Sequence, residues 1–353
     1  MSDALGRALR QRVLSGDADA DEALVFADYC FERDDSHGAA AALDHAFGLR
    51  PDDARLAEQR AELLDNLALD EHGLRFRYVP AGSVLLGSEQ GDFDERPAHR
   101  RSVAAFYLAD VPLSWLDFCR LLDWHPPPAG YPKDGTSLDV DDPRYALFCL
   151  RQVNKVRRIY CEQQDDRYDR LPVVAVDYPD ALAVVDALCR QSSGAATYRL
   201  PSEAEWERAA RGGLVGARYP WGDASPSPER LDCDNFGAFR IADPRRFAPN
   251  GYGLYAMCGT VWEWTSDRYD ALAYAQAAGA RVAPPPAHEP APHERVLRGG
   301  SWADCAAACT VSFRSSARAG TSWLAGQRDQ IDAPAENPNI GMRVLRQAAT
   351  IDR

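Results

Sequence analysis

The sequence predicts an α+β fold, with a small α-helical segment over residues 1–74 and a loop-rich domain over 75–353. Three observations predict it. Apolar residues recur at helical spacing through roughly the first 70 positions. After Leu74 the texture changes to short apolar strands broken by Gly, Pro and aromatic residues. Inside that irregular region, RLPSEAEWERAARGG carries a complete set of helix start and stop signals.

In the N-terminal segment the helical spacing runs through Leu5, Leu9 and Val13, then Leu24, Val25, Ala27 and Tyr29, then Ala42, Leu43, Ala46 and Phe47. DEALVFADYCFERDD resembles a short bacterial companion module, and GLRPDDARL is similar to the end of a tetratricopeptide-type helix pair. One such unit cannot bury its own apolar face, because repeat helices are stabilised by their neighbours. These helices are therefore expected to dock on the main domain or on a protein partner.

FRYVPAGSVLLGS reads as two strands around a Pro-Ala-Gly turn, with Phe76, Tyr78, Val79, Val84 and Leu85 as the pleated apolar positions. LPVVAVDYPDALAVVDALCRQ reads as a strand running into a helix, with Asp177 at its start and Ala181, Val184, Val185 and Leu188 on one face. Residues 125–170 match no regular pattern and read as a surface insertion holding one helix, RQVNKVRRIYCEQQ. In the helix cassette, Ser202 caps while Glu205 reaches back to its amide, Pro201 packs on Trp206, and Gly212 and Gly213 supply the left-handed stop. The chain beyond residue 215 is rich in Trp and Gly, and prolines at 284–286, 290 and 292 mark an exposed loop. Such a domain needs aromatic packing, bound ions or disulfides to hold it.

Hydrophobic residues make up 46% and charged residues 26%, which is an ordinary globular balance. No apolar run reaches the roughly 18 residues of a spanning helix, so no membrane partner is expected. A net charge of -13 argues against nucleic acid, whose binding relies on clustered Lys and Arg. MSDALGRALRQRVLSGDADADE shows no secretory pattern, and a cytoplasmic location is expected. Of nine cysteines, Cys30, Cys119, Cys149, Cys161, Cys189, Cys233 and Cys258 are scattered and read as small buried apolar residues. Cys305 and Cys309 lie in one short stretch, which leaves metal binding, a redox-labile pair and packing open.

The ordered set FRYVPAGSVLLGS, LPVVAVDYPDA, YRLPSEAEWERAARGG, YPWGD, PNGYGLYAMCGTVWEWTSD, VLRGGSW and NIGMRV resembles the formylglycine-generating enzyme, or sulfatase-modifying-factor, family. The resemblance implies a C-type-lectin-like fold with little regular secondary structure. It also implies oxygen-dependent conversion of a peptide cysteine, with two thiolates gripping Cu(I), an ion that prefers sulfur. On the family pattern Ser301 is the active-site serine and Cys309 the second thiol. The first thiol is displaced by one to Cys305, with Asp304 in its place, and Ala306, Ala307 and Ala308 replace the usual polar groups. The family's substrate groove would hold Trp302, Arg314 and Asn339, and Arg343 would brace its strand in an ion pair.

Family members also carry structural Ca²⁺. Here the carbonyls of Gly259 and Val261 with the Glu263 carboxylate would form one site, and Asn235 with the Phe236 carbonyl a weaker one. The other reading of Glu263 is a buried acid paired with an arginine. Thr260 stands where the family has Asn. Related sulfoxide synthases need a His-x3-His-x-Glu site, a spacing that the histidines here never form. Two functions are therefore expected in the alternative. One is a metal- and oxygen-dependent oxidase acting on a thiol of a peptide or small molecule. The other is a non-catalytic binding module, such as a retroelement variable protein, that presents residues 302–335 to a peptide, protein or small-molecule ligand.

Overall fold

The computed structural model describes residues 2–123, 170–174, 176–234, 241–279, 294–319 and 339–348. Four helices come first: α1 (Asp3–Ser15), α2 (Ala20–Phe31), α3 (Ser36–Leu49) and α4 (Ala54–Asn66). Each begins at a polar side chain that takes an unbonded amide of the first turn: Ser2 accepts from Leu5, Asp19 from Glu22, Asp35 from Gly38 and Asp53 from Leu56. At Asp19 the cap is reciprocal, because Glu22 accepts from the Asp19 amide at 3.0 Å. Leu9, Val13, Ala27, Ala42, Leu43 and Ala46 go inside, as their spacing predicts, whereas Leu5 and Val25 stay exposed. Ala39, Ala42 and Ala46 give α3 a face of small side chains, all buried, that lets its neighbours approach closely.

The helical segment docks on the rest of the chain through buried charge. Asp44 of α3 and Arg60 of α4 pair at 2.6 Å, and Arg60 also donates to the carbonyls of Gly212 and Gly251. The second oxygen of Asp44 receives Arg208 at 3.0 Å and the Tyr252 hydroxyl at 2.9 Å. Burial works against the charge on Asp44, but Arg60 and Arg208 outweigh it and hold the carboxyl below its ordinary 3.8.

Beyond α4, β1 (Leu69–Glu71), β2 (Leu74–Val79), β5 (Phe106–Ala109), β11 (Leu345–Gln347) and β6 (Tyr198–Arg199) form an antiparallel sheet in that spatial order. The last strand thus lies in the interior of the sheet, with Leu345 opposite Leu108 on one side and Arg199 on the other. The two strands predicted around Pro80 are both present, but they part company. β3 (Gly82–Leu86) stands apart from the first sheet and, among the described residues, pairs only with β4 (His99–Val103). A third sheet has the order β10-β7-β8-β9, from Ile340–Gly341, Trp262–Arg268, Glu294–Arg298 and Arg314–Arg318.

Two short-range expectations meet different outcomes. Residues 171–174 and 176 form no strand, only a bridge from Pro172 to Ser114 and amide bonds from Val173 to Leu113 and from Val176 to Ile340. The helix after them is present: α5 (Trp115–Leu121) is followed by α6 (Tyr178–Gln191), with Ala181, Val184, Val185 and Leu188 buried. The cassette helix, α7 (Glu203–Arg211), has the expected capping box, with Glu205 accepting from the Ser202 amide at 2.8 Å, and ends at left-handed Gly212. Most of the 125–170 insertion and the proline loop lie outside the described residues.

One continuous core joins the sheets, with Trp206 and Trp264 fully buried in it. Truncating such a residue costs about 3–5 kcal/mol. Among the described residues no helix is long and apolar enough to cross a membrane.

Candidate functional site

The site forms where β8 ends. Arg298 is followed by Gly299 and Gly300, both at positive φ (102° and 72°), which turn the chain into Ser301. Gly300 is required twice over, since a Cβ there would sit 2.5 Å from the Cys309 sulfur as well as straining the backbone. A turn follows, closed by Asp304 N donating to the Ser301 carbonyl at 3.1 Å, and a second turn by Ala308 N donating to the Cys305 carbonyl at 3.0 Å.

Ser301 is fully buried and its hydroxyl is saturated. It donates to the Asp304 carboxylate, and it accepts from the Asn339 amide at 2.7 Å and the Ala303 amide at 3.2 Å. Asp304 and Asn339 are half-buried, so the surface offered above Ser301 is a carboxylate beside an amide. Sequence reasoning named Ser301 and Asn339, and the structure brings them together. It gave Asp304 no role. The signal was there in the Ser-x-x-Asp spacing, which suits side chain pairing across a turn.

The two expected copper ligands face different surroundings. Cys309 is completely buried, with its thiol directed at the Ser301 carbonyl at 3.7 Å. Burial, with the neighbouring thiols of Cys258 and Cys233, drives its pKa far up, so it is held as a thiol. Cys305 is exposed. The position that the family pattern gives to the first thiol is taken by Asp304, whose carboxylate lies on Ser301 instead. Among the described residues no cluster of three or more metal-ligating side chains occurs.

Beneath this loop lies a layer of buried ion pairs. Glu207 bonds Arg211 at 2.6 Å and Arg298 at 2.5 Å. Burial opposes its charge, yet the two guanidinium groups carry its pKa below the ordinary 4.5. Arg314, expected in a substrate groove, belongs to this layer: it pairs with Glu203 at 2.6 Å, donates to the carbonyls of Asp94 and Asp270, and lies over the rings of Tyr269 and Tyr274. Trp302, expected beside it, is only 2% exposed and is part of the core. Both corrections have one cause. A guanidinium or indole on a site loop looks the same in sequence whether it points outward or is folded under.

Glu263, expected as a calcium ligand or as a buried acid paired with an arginine, is engaged in an ion pair. One carboxylate oxygen receives Arg343 at 2.9 Å and the other receives the Trp206 indole at 2.7 Å. Arg343 completes its shell on the carbonyls of Ala109 and Tyr255, and so holds the strand as expected. A cation seated on Glu263 would have to displace the Arg343 guanidinium, whose acid partner among the described residues is Glu263. Gly259 and Val261 flank Thr260 in the same loop, and Asn235 and Phe236 lie outside the described residues.

Comparison with known proteins matches residues 73–348 to the "Sulfatase-modifying factor enzyme 1-like domain". A formylglycine-generating enzyme of Thermomonospora curvata is 41% identical over 143 residues, which is 37% of this chain and 44% of that protein. The inactive C-alpha-formylglycine-generating enzyme 2 of Mus musculus is 39% identical over 146 residues, covering 38% of this chain and 39% of that one. A serine/threonine-protein kinase, Pkn1, of Chlamydia trachomatis is 30% identical over 284 residues, which is 80% of this chain and 42% of the kinase. The alignments thus span less than half the length of each of these relatives. Among solved structures, PvdO from Pseudomonas aeruginosa superposes with a TM-score of 0.53 at 21% identity, over 78% of this chain and 95% of that one. Treponema denticola variable protein 1 superposes with a TM-score of 0.52 at 16% identity, over 80% and 98%. These two establish the fold alone.

Proposed function

Since the chain belongs to the formylglycine-generating enzyme (sulfatase-modifying factor) family, we propose that its Ser301 site binds a peptide or small molecule without two-thiolate copper chemistry. The observation that carries this reading is the Asp304 carboxylate hydrogen-bonded to Ser301 at the position where the family pattern calls for a thiol. A carboxylate is a hard oxygen donor, poorly matched to Cu(I). The half-buried pair of Asp304 and Asn339 instead offers a hydrogen-bond acceptor and an amide side by side, a surface for a ligand with N–H or O–H groups.

The oxidase is the second reading. It is favoured by Cys309, whose thiol lies directly under the Ser301 carbonyl, and by Cys305 on the same turn. In that reading copper would be held by Cys305 and Cys309 and would supply the oxygen chemistry, and Ser301 would orient the substrate thiol.

A pool of fluorescein-labelled peptides, followed by anisotropy, tests the first reading alongside oxygen uptake with a cysteine-containing peptide after Cu(I) loading. The expected result is peptide binding that weakens about tenfold or more in Asp304→Ala and Asn339→Ala, with no oxygen uptake. Oxygen uptake that disappears in Cys309→Ser would establish the oxidase instead.

A further inference from the structure

We propose that Cys233 and Cys305 form a reversible disulfide that ties the 231–234 loop to the Asp304 turn. The amide of Asp234 donates to the carbonyl of Asp304 at 2.9 Å, so the Cys233–Asp234 peptide lies along the Asp304–Cys305 peptide. An amide hydrogen points to the side of the preceding α-carbon and a carbonyl oxygen to the side of the following one, so Cys233 and Cys305 flank that bond on the same side. Where two segments pair antiparallel, the residue before the donor and the residue after the acceptor have α-carbons roughly 4.5 Å apart. A disulfide spans about 4.4–6.8 Å.

Both segments are anchored by hydrogen bonds on either side of the two cysteines. Asp232 accepts from the Thr260 amide at 3.0 Å through its carbonyl and from the Ala242 amide at 2.8 Å through its carboxylate. On the other side, Asp304 is held by Ser301 through both backbone and side chain. Cys305 is exposed and Cys233 half-buried, and neither is bonded to another cysteine. Cys309 is the competing partner, but its thiol is turned inward beneath Gly300. Its sulfur lies 3.7 Å from the Ser301 carbonyl.

The oxidant is a low-molecular-weight disulfide. The exposed Cys305 thiolate attacks one of its sulfurs, a mixed disulfide forms, and one small thiolate leaves. Cys233, its thiol pKa pushed up to about 11 by burial and by the neighbouring Asp234 and Asp232 carboxylates, gives its proton to solvent, attacks the Cys305 sulfur and expels the second. Two protein thiols are oxidised, one small disulfide is reduced to two thiols, and the two protein protons pass to solvent and the leaving thiolates. Once closed, the bridge fixes the turn that carries Asp304, so the redox state sets the rigidity of the surface above Ser301. The inference stands whether that surface binds or catalyses.

The full chain is incubated with oxidised glutathione, remaining thiols are blocked with N-ethylmaleimide, and peptides are mapped by mass spectrometry. The expected result is the loss of two thiols per chain and a cross-linked peptide joining Cys233 to Cys305. Cys309→Ser should keep that peptide, and Cys233→Ser should stop at a glutathione adduct on Cys305. A Cys305–Cys309 linkage in the parent, or a parent that stops at the adduct, overturns the proposal. Mapping of the parent decides the matter even if a variant folds poorly.

Discussion

Arg343 lies against Glu263 at 2.9 Å with both side chains buried, and neither group has solvent to fall back on. Removing one charge from such a pair leaves the other uncompensated, at a cost of about 3–5 kcal/mol. Glu263→Gln should therefore lower the urea-unfolding free energy by that amount, and by the same amount with and without a calcium chelator. A loss seen only without chelator would return Glu263 to the role of a calcium ligand.

Acid should weaken the protein through Asp44 and Glu207. Both have folded-state pKa values below their ordinary 3.8 and 4.5, held there by Arg60 and Arg208 and by Arg211 and Arg298 against the opposing effect of burial. As the pH falls the unfolded chain binds these protons first. The stability they contribute is thus complete above about pH 5 and is lost as the pH drops through the folded-state values. Asp44→Asn should be less stable at neutral pH and should show a shallower decline below pH 5, measured by urea unfolding across the range. An unchanged slope would mean that Asp44 does not report on the docking of the helical segment.

Thr260 is a β-branched residue at φ +66°, fully buried, and its hydroxyl has no hydrogen-bond partner among the described residues. Left-handed backbone costs such a residue roughly 1–2 kcal/mol, and Asn tolerates it better. Thr260→Asn, nearly equal in volume, should raise stability by about 1 kcal/mol in urea unfolding. A fall of similar size would mean that the pocket around the hydroxyl cannot satisfy an amide.

The parts of the fold legible in the sequence were those set by neighbours along the chain. Ser202 and Glu205 cap α7 across three residues, and the apolar spacing of α6 falls on one helical face, so both could be read directly. What was not legible depends on distant partners. Glu263 finds Arg343 across 80 positions, and Arg314 finds Glu203 across 111. Between Trp262 and Trp264 a glutamate reads equally as a calcium ligand or as half of an ion pair until its partner is located. The family pattern names Ser301 and Asn339 one by one, but neither their contact nor that of Asp304 is legible, because a one-residue displacement of Cys305 shows only which residue moved and not where its side chain turns.

Anaerobic Cu(I) titration against a competing chelator, on the parent and on Asp304→Cys, tests most directly whether Asp304 has replaced the copper-binding thiol. The expected result is no tight site in the parent and one site per chain in Asp304→Cys, abolished by Cys309→Ser. A parent that binds one Cu(I) tightly, and loses it in either Cys305→Ser or Cys309→Ser, would contradict it.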